Sequence, residues 1–154
     1  MKHELTTTIE IEATSDEVWA VLTDLKEYPT WNPFIVSASG SVVVGQRLTN
    51  RMQPPGGKAM AFKPTVTEVV ASQTFEWLGR LGLPGLFDGR HRFELKTTAS
   101  GGTLLRHSEK FSGLLVRAFR SSLEKQTKAG FKAMNVALKQ RVEGSVKGAS
   151  TNGG

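Results

Sequence analysis

The stretch ATSDEVWAVLTDLKEYPTWNPF, residues 13–34, predicts a short helix that ends in an abrupt change of direction. Thr14 and Glu17 stand three residues apart as a capping box, and apolar residues then recur at helical spacing. Pro29 ends the helix because the residue before a proline is pushed towards extended backbone. The last seven residues, YPTWNPF, hold much apolar surface but suit neither a long helix nor a strand. We interpret them as a structural joint that helps to shape an internal cavity.

The sequence on either side of this stretch predicts strands. Residues 4–12 alternate apolar and polar side chains, which is typical of a half-buried strand. Residues 35–111 form six short runs separated by turn signals, which predicts an antiparallel meander. Pro64 lies inside the third run, which is long, and we expect a bulge or a bend there.

A long amphipathic helix is predicted after Gly113 and through to about Val142. Gly130 within it costs about 1 kcal/mol against alanine, which indicates close packing or a bend at that position. The order of one strand, two short helices, six strands and one long helix predicts a single α+β domain over residues 1–143, with the last helix covering a curved sheet. Residues 144–154 hold little apolar surface, and we expect them to form a disordered tail.

Composition allows one domain with a core of its own and excludes several kinds of site. The chain has 154 residues, of which 38% are hydrophobic. It contains no cysteine, which excludes disulfides and thiolate metal sites and fits a reducing cytoplasm. The first residues form no apolar signal segment, and no run approaches the roughly 18 apolar residues of a membrane span. We therefore expect a soluble cytoplasmic protein.

The charge distribution indicates a solvated basic surface. The net charge is +6, but the basic residues are spread over the predicted strands and the last helix. Nucleic acid is not expected as a partner, because no motif of aromatic and basic residues accompanies the charge. Association with a membrane stays open as a weaker alternative, since the basic last helix lies near a predicted apolar loop.

Four stretches and the order of the elements resemble the START/Bet v 1-like (SRPBCC) superfamily, of the polyketide cyclase/dehydrase and lipid transport type. The stretches are residues 13–34, VTEVVASQTFEWLG (66–79), HRFELKTTASGGTLLRHSEKFSG (91–113) and GFKAMNVALKQRVE (130–143). The resemblance implies the helix-grip fold, β-α-α-β6-α, in which a curved seven-stranded antiparallel sheet surrounds the long C-terminal helix. It also implies that Trp31, Pro33 and Phe34 form the second short helix and its exit. The superfamily includes ligand carriers, cyclases, hydrolases and stress-response proteins.

Strand parity predicts which polar side chains face the interior. If TASGG (98–102) is a five-residue hairpin loop, then Thr97 lies opposite Thr103, and partners further along the hairpin have numbers that sum to 200. His91 then lies opposite Glu109, and His107 faces the same side. Side chains of directly paired residues are about 5 Å apart at Cβ, so the first two are within reach of a hydrogen bond.

Several roles for the His91–Glu109 pair stay open. The pair is either a satisfied polar patch, a group that orients the polar end of a ligand, or a general base in which Glu109 tunes His91. A metal site formed by these two residues and His107 is not expected, because the three positions have no diagnostic spacing, and no cofactor is implied. The candidate ligand-binding residues share a predicted position facing the interior; they are Asn50, Met52, Phe62, Phe75, Trp77, Phe87, His91, Phe93, His107, Glu109, Phe111, Leu115, Phe119, Phe131 and Met134.

The loop GRLGLPG (79–85) and the residue that follows it place Leu81, Leu83 and Leu86 where water is expected. These leucines either pack against the start of the long helix near Leu114 and Leu115 or form a mobile portal for an apolar molecule. The sequence favours binding or carriage of a small hydrophobic molecule, such as a lipid, a polyketide or an aromatic compound, over an enzyme. The alternative is a polyketide cyclase/hydratase-like enzyme that uses His91 and Glu109 in proton transfer.

Overall fold

The computed structural model describes residues 2–151. Within this range, no helix is long and apolar enough to cross a membrane. The elements in chain order are β1 (Lys2–Ile11), α1 (Ser15–Leu22), a 3₁₀ helix (Leu25–Thr30), β2 (Ile35–Ser39), β3 (Thr49–Met52), β4 (Met60–Phe62), β5 (Thr65–Val70), β6 (Thr74–Leu81), β7 (Phe87–Thr97), β8 (Thr103–Ser112), α2 (Val116–Ser122), a π-helical segment (Leu123–Thr127) and α3 (Lys128–Thr151).

The sheet confirms the predicted fold class, although its strand count differs. Five strands follow the order β1-β8-β7-β6-β5 and three follow β2-β3-β4. The third predicted run is divided between β4 and β5 because Pro64 between them has no N–H to give to a ladder. Backbone contacts join the two sheets at this point: Arg47 pairs with Thr65, and the Leu48 N–H donates to the Pro64 carbonyl at 2.8 Å. The β4 and β5 strands are thus two halves of one bent strand in a seven-position sheet.

The predicted helix start is confirmed, and the predicted helix end is corrected. The Glu17 N–H donates to Thr14 Oγ1 at 3.2 Å, as a capping residue requires. The α1 helix ends at Leu22, and Pro29 lies inside the following 3₁₀ helix instead of ending helical structure. A 3₁₀ helix tolerates this proline because so short a helix leaves few N–H groups with a helical acceptor. The residues predicted to form the second helix, Trp31 to Phe34, follow it as non-helical chain.

The joint at residues 28–34 holds α3 against the sheet. The Tyr28 hydroxyl donates to the Leu22 carbonyl at 2.6 Å. Asn32 Oδ1 accepts the backbone N–H groups of Phe34 and Ile35, which fixes the chain as it enters β2. The Phe34 ring then packs edge-on against Phe131 of α3 and lies directly against Gly130. The segment is therefore the structural joint that the sequence predicts.

The long helix is built from three consecutive segments, and its backbone stays helical where they meet. The buried face of α3 carries Phe131, Met134, Leu138 and Val142. The helix continues to Thr151, beyond the predicted domain boundary at residue 143, and Val146 still packs against the core there. This differs from the expected disordered tail for residues 144–151, because contact with the core continues past the boundary. Residues 152–154 lie outside the described residues.

Candidate functional site

The β7–β8 hairpin brings the predicted polar residues together on the inner face of the sheet. Its register is the one expected from the TASGG loop: His91 lies opposite Glu109, and Phe93 lies opposite His107. On the other side of β8, Thr7 of β1 lies opposite His107. All five side chains are buried. The parity of the strands thus places two histidines and a carboxyl group between the sheet and α3.

These side chains form one continuous chain of hydrogen bonds. His91 Nδ1 lies 3.3 Å from Glu109 Oε2, and His91 Nε2 lies 2.7 Å from His107 Nε2. His107 Nδ1 is 2.8 Å from Asn135 Oδ1, and Asn135 Nδ2 donates to Thr7 Oγ1 at 2.8 Å. The Thr7 hydroxyl donates in turn to the His107 carbonyl at 3.3 Å. We call these five residues the polar chain.

Sequence reasoning missed two members of the polar chain, although each left a signal. Thr7 is the polar residue on the apolar face of β1, between Leu5 and Ile9. Asn135 comes four residues after Phe131 and three before Leu138, so it lies on the buried face of α3. A buried amide needs hydrogen-bond partners. An asparagine on the apolar face of a helix therefore indicates a polar contact with the sheet, and this signal could have identified Asn135.

Burial decides the charge state of His107. Its ring is fully buried and stacks on Phe131, with centroids 3.9 Å apart and planes at 13°. Burial and the neighbouring His91 hold the pKa of His107 well below its ordinary value, and the hydrogen bond to Asn135 opposes them only in part. His107 is therefore neutral at physiological pH.

The expectation of an open hollow around these groups is corrected by the packing. His91 stacks on Trp77, with centroids 4.6 Å apart and planes at 11°. His91 and His107 are 1% and 0% exposed, so no water-sized space adjoins either ring. This level of the interior is a filled layer of side chains that close-packing favours over a void. The candidate residues in the filled layer are Phe75, Trp77, His91, Phe93, His107, Phe131 and Met134.

Three of the remaining candidates, Phe87, Phe111 and Phe119, lie together at the end of the grip where α2 meets β7 and β8, which we call the mouth. Phe87 of β7 packs against Phe111 of β8, with centroids 5.8 Å apart, and against Phe119 of α2, with centroids 6.2 Å apart. Phe119 is 50% exposed. Glu109 is two residues from Phe111 on the same face of β8, which makes it the member of the polar chain nearest this end. Leu115, just before α2, is exposed, whereas Met52 of β3 and Phe62 of β4 are partly buried in the three-stranded sheet.

Asn50 is a further polar group on the inner face. It is 1% exposed, and neither its Oδ1 nor its Nδ2 has a hydrogen-bond partner among residues 2–151. It lies opposite Phe62 of β4, whose ring reaches to within 3.7 Å of the position that a Cβ would take on Gly79. A buried amide without partners is unfavourable by about 1–3 kcal/mol, so Asn50 is a feature that stability alone does not explain.

A glycine, Gly89, leaves room on the inner face for the Glu109 side chain. Gly79 and Gly89 lie opposite each other on β6 and β7. A Cβ added at Gly89 would lie 2.5 Å from Glu109 Oε1, which is too close for any real contact. The carboxyl group of Glu109 thus occupies the space that an alanine at position 89 would fill.

We expect Gly89→Ala to displace the Glu109 carboxyl group from His91 while leaving the fold intact. The nearest atom is the end of a flexible side chain, so the change in unfolding free energy should stay within about 1 kcal/mol. Gly79→Ala is the matched control, since its added Cβ meets nothing closer than 3.7 Å. Ring ¹⁵N shifts in histidine-labelled protein measure the effect. An unchanged His91 signal in Gly89→Ala would contradict the geometry.

Ion pairs join several arginines and carboxylates on the outer face of the sheet. Arg92 pairs with Glu68 at 2.6 Å and with Glu76 at 2.8 Å, and Arg106 pairs with Glu94 at 2.8 Å. Burial favours the neutral form of the Glu94 carboxyl, but its hydrogen bonds to the two arginines prevail and hold its pKa below the ordinary value. This face is a ladder of alternating charges, as expected for a solvated surface.

Two surface clefts among the described residues lie away from the candidate residues. One, of about 510 Å³, is lined by residues of α1, the 3₁₀ helix and the edge near Val69. The other, of about 470 Å³, lies beside the β7–β8 turn and Val146. Neither cleft is lined by a residue of the mouth or the polar chain.

Comparison with known proteins agrees with this architecture. The profile of the family described as "Polyketide cyclase / dehydrase and lipid transport" matches residues 2–143. Comparison with curated proteins gives no match.

Three solved structures illustrate the likeness in fold. The Zhui aromatase/cyclase from Streptomyces sp. R1128 is 16% identical with a TM-score of 0.77, covering 95% of this chain and 96% of its own. A START superfamily protein from Mycobacterium smegmatis is 20% identical with a TM-score of 0.72, covering 92% and 97%. Ara h 8.0201 is 14% identical with a TM-score of 0.65, covering 94% and 99%. At these identities the likeness concerns the fold alone.

Proposed function

The chain belongs to the polyketide cyclase/dehydrase and lipid transport family, and from this premise we propose that it binds or carries a small hydrophobic molecule at the mouth of the grip. Members of this family bind hydrophobic ligands or cyclise polyketides. The proposed ligand site lies closer to the surface than the internal cavity expected from the sequence. The ligand lies above the filled layer, against Phe87, Phe111 and Phe119, and does not reach His107.

The observation that carries the proposal is a cluster of exposed apolar side chains at this end. Leu83 and Leu114 are 76% and 84% exposed, and Leu81 is 57% exposed. The loop that holds Leu83 is fixed through its backbone. The Leu114 and Leu115 N–H groups donate to the carbonyls of residues 85 and 86 at 3.2 and 3.1 Å. The backbone is thus packed while the side chains face outward, as a rim around an apolar opening would be.

The weak attachment of α2 supports entry at this end. Val116 is the one buried residue of α2, and the π-helical segment after it has none. An element with few buried apolar contacts opens at a low free-energy cost. Movement of α2 would expose Phe87 and Phe111 on the sheet, with Glu109 as the first polar group below them. The apolar body of a ligand would pack on the rings and its polar end would meet Glu109.

Binding of the neutral apolar dye Nile red tests the site. We expect Phe119→Asp to weaken binding at least about tenfold, because it removes apolar contact worth about 1.5–3 kcal/mol and places a charge at the mouth. Val136→Asp is the matched control: Val136 is 47% exposed on α3, outside the mouth, and its substitution should change binding less than about twofold. Fluorescence titration measures both affinities. Equal losses in the two variants would refute a site at the mouth.

A second candidate function is proton transfer to a bound ketone, and the contact of Glu109 with His91 favours it. Exchange of the methyl protons of 2-acetylnaphthalene for deuterium in D₂O, followed by NMR, tests this function directly. The protein should accelerate exchange, and Glu109→Gln should remove the acceleration while Nile red still binds. Equal exchange rates with the two proteins would exclude a catalytic role for this pair.

A further inference from the structure

The polar chain has a direction that begins at Thr7. A carbonyl oxygen only accepts hydrogen bonds, so the Thr7 hydroxyl gives its hydrogen to the His107 carbonyl. Thr7 Oγ1 is then free to accept from Asn135 Nδ2, which leaves Asn135 Oδ1 facing His107. Because Oδ1 is an acceptor, His107 Nδ1 carries a hydrogen.

The direction continues through both histidines. A neutral His107 with a hydrogen on Nδ1 has a bare Nε2, and this atom lies 2.7 Å from His91 Nε2. Two bare nitrogens at that distance would repel, so His91 Nε2 carries the hydrogen between them. Each hydrogen bond of the chain thus fixes the position of the hydrogen in the next one. Thr7 and Asn135 therefore determine which ring nitrogen of His91 carries a hydrogen.

The last link is the contact between His91 and Glu109. It holds one proton more than a neutral imidazole and an ionised carboxylate would hold together. With its hydrogen on Nε2, a neutral His91 presents a bare Nδ1 to Glu109, and the carboxyl group must supply the hydrogen. Otherwise His91 is an imidazolium and Glu109 a carboxylate. Both states have one proton between Nδ1 and Oε2 and no net charge. A third state, with the extra proton on His107, is disfavoured because burial and His91 lower the pKa of that ring.

We propose that His91 and Glu109 form an uncharged pair that holds one transferable proton, and that Thr7 and Asn135 are positioning residues that impose this state. For the ligand of the proposed function, on which this step rests, the uncharged pair favours a neutral apolar molecule over an apolar ammonium ion. An isolated buried carboxylate would have the opposite preference, since a cation would compensate its charge.

Long-range ¹H–¹⁵N NMR of the histidine-labelled wild-type protein at neutral pH tests the proton positions without any ligand. We expect a protonated Nδ1 and bare Nε2 on His107, and a protonated Nε2 on His91. His3→Gln removes the signals of the third histidine and completes the assignment. A bare Nδ1 on His107, or a bare Nε2 on His91, would overturn the proposal.

Asn135→Leu tests the positioning role. Without the Oδ1 acceptor, His107 should move its hydrogen to Nε2, and the His91 signals should change in response. A merely structural Asn135 would leave the ring hydrogens where they are, which would contradict the role proposed for it. If this variant fails to fold, the wild-type spectrum still decides where the protons lie.

Two ligands of nearly equal shape test the selectivity. In competition with Nile red at pH 7.5, we expect 2-acetylnaphthalene to bind at least about tenfold more tightly than 1-(2-naphthyl)ethanamine, which is then an ammonium ion. Equal or tighter binding of the amine overturns the proposed ligand class. Failure of both to displace Nile red also overturns it, whereas failure of Nile red itself to bind refutes the proposed function and leaves the proton positions to the spectrum.

Discussion

Gly130→Ala is expected to lower the free energy of unfolding by about 1–3 kcal/mol, although alanine is the better helix former. The added Cβ would collide with the ring of Phe34, which is 1% exposed and lies edge-on against Phe131. Overpacking of a close-packed core typically destabilises by this amount, and it outweighs the roughly 1 kcal/mol that alanine contributes in a helix. Chemical denaturation measures the change.

The same helix provides a control for this prediction. Gly144 also lies in α3, and a Cβ added there meets nothing within 4 Å. Gly144→Ala should therefore raise the free energy of unfolding by up to about 1 kcal/mol through helix propensity alone. If both substitutions shift stability in the same direction, Phe34 does not hold α3 in the way described here.

The opposite effects expected for Gly130→Ala and Gly144→Ala connect the joint at residues 28–34 to the polar chain. Phe34 at the end of residues 28–34 fixes the position of Gly130, and the next residue, Phe131, forms the stacking partner of His107. A shift of α3 at Gly130 would therefore also move the ring that covers the polar chain. Gly130→Ala should change the ring ¹⁵N shifts of His107, whereas Gly144→Ala should not.

Local rules were sufficient to predict the fold and the hairpin register. The loop TASGG fixes its own length, so the pairing of His91 with Glu109 follows by counting along two strands. A bulge or a bend at Pro64 was expected because proline has no N–H for the ladder, but the division of the run into two strands was not. The 3₁₀ helix through Pro29 was not expected. It depends on the contact of Tyr28 with the preceding helix, which local sequence rules do not describe.

The candidate site was predicted only in part, because its contacts depend on packing between distant elements. Asn135 meets Thr7 across 128 residues of sequence, and the position of α3 over β1 determines this contact. Strand parity likewise places His107 inside without giving its rotamer. The stacking of that ring on Phe131, and with it the filled layer, follows from side-chain geometry that spacing does not encode.

Acid should destabilise the protein below about pH 6.5, through His107. Above that pH the ring is neutral in both the folded and the unfolded chain. Below it the unfolded chain takes up a proton, at the ordinary histidine pKa, that the folded chain excludes because the pKa of His107 is lowered. The unfolded state then binds more protons, so stability falls with falling pH by up to about 1.4 kcal/mol per unit, or about 2 kcal/mol between pH 6.5 and pH 5.

His107→Phe isolates this contribution, since a phenyl ring of similar size can stack on Phe131 but does not titrate. The variant should be less stable at pH 7.5 because Asn135 Oδ1 and His91 Nε2 lose their partner. Its stability should nevertheless decline less steeply between pH 7.5 and pH 5. The difference in slope corresponds to the uptake of about one proton fewer on unfolding. Urea denaturation at half-unit pH intervals gives both slopes, and this range lies above the titration of the paired carboxylates, such as Glu94, whose pKa is lowered. Parallel curves for the two proteins would mean that His107 accepts a proton in the folded state, contrary to its burial.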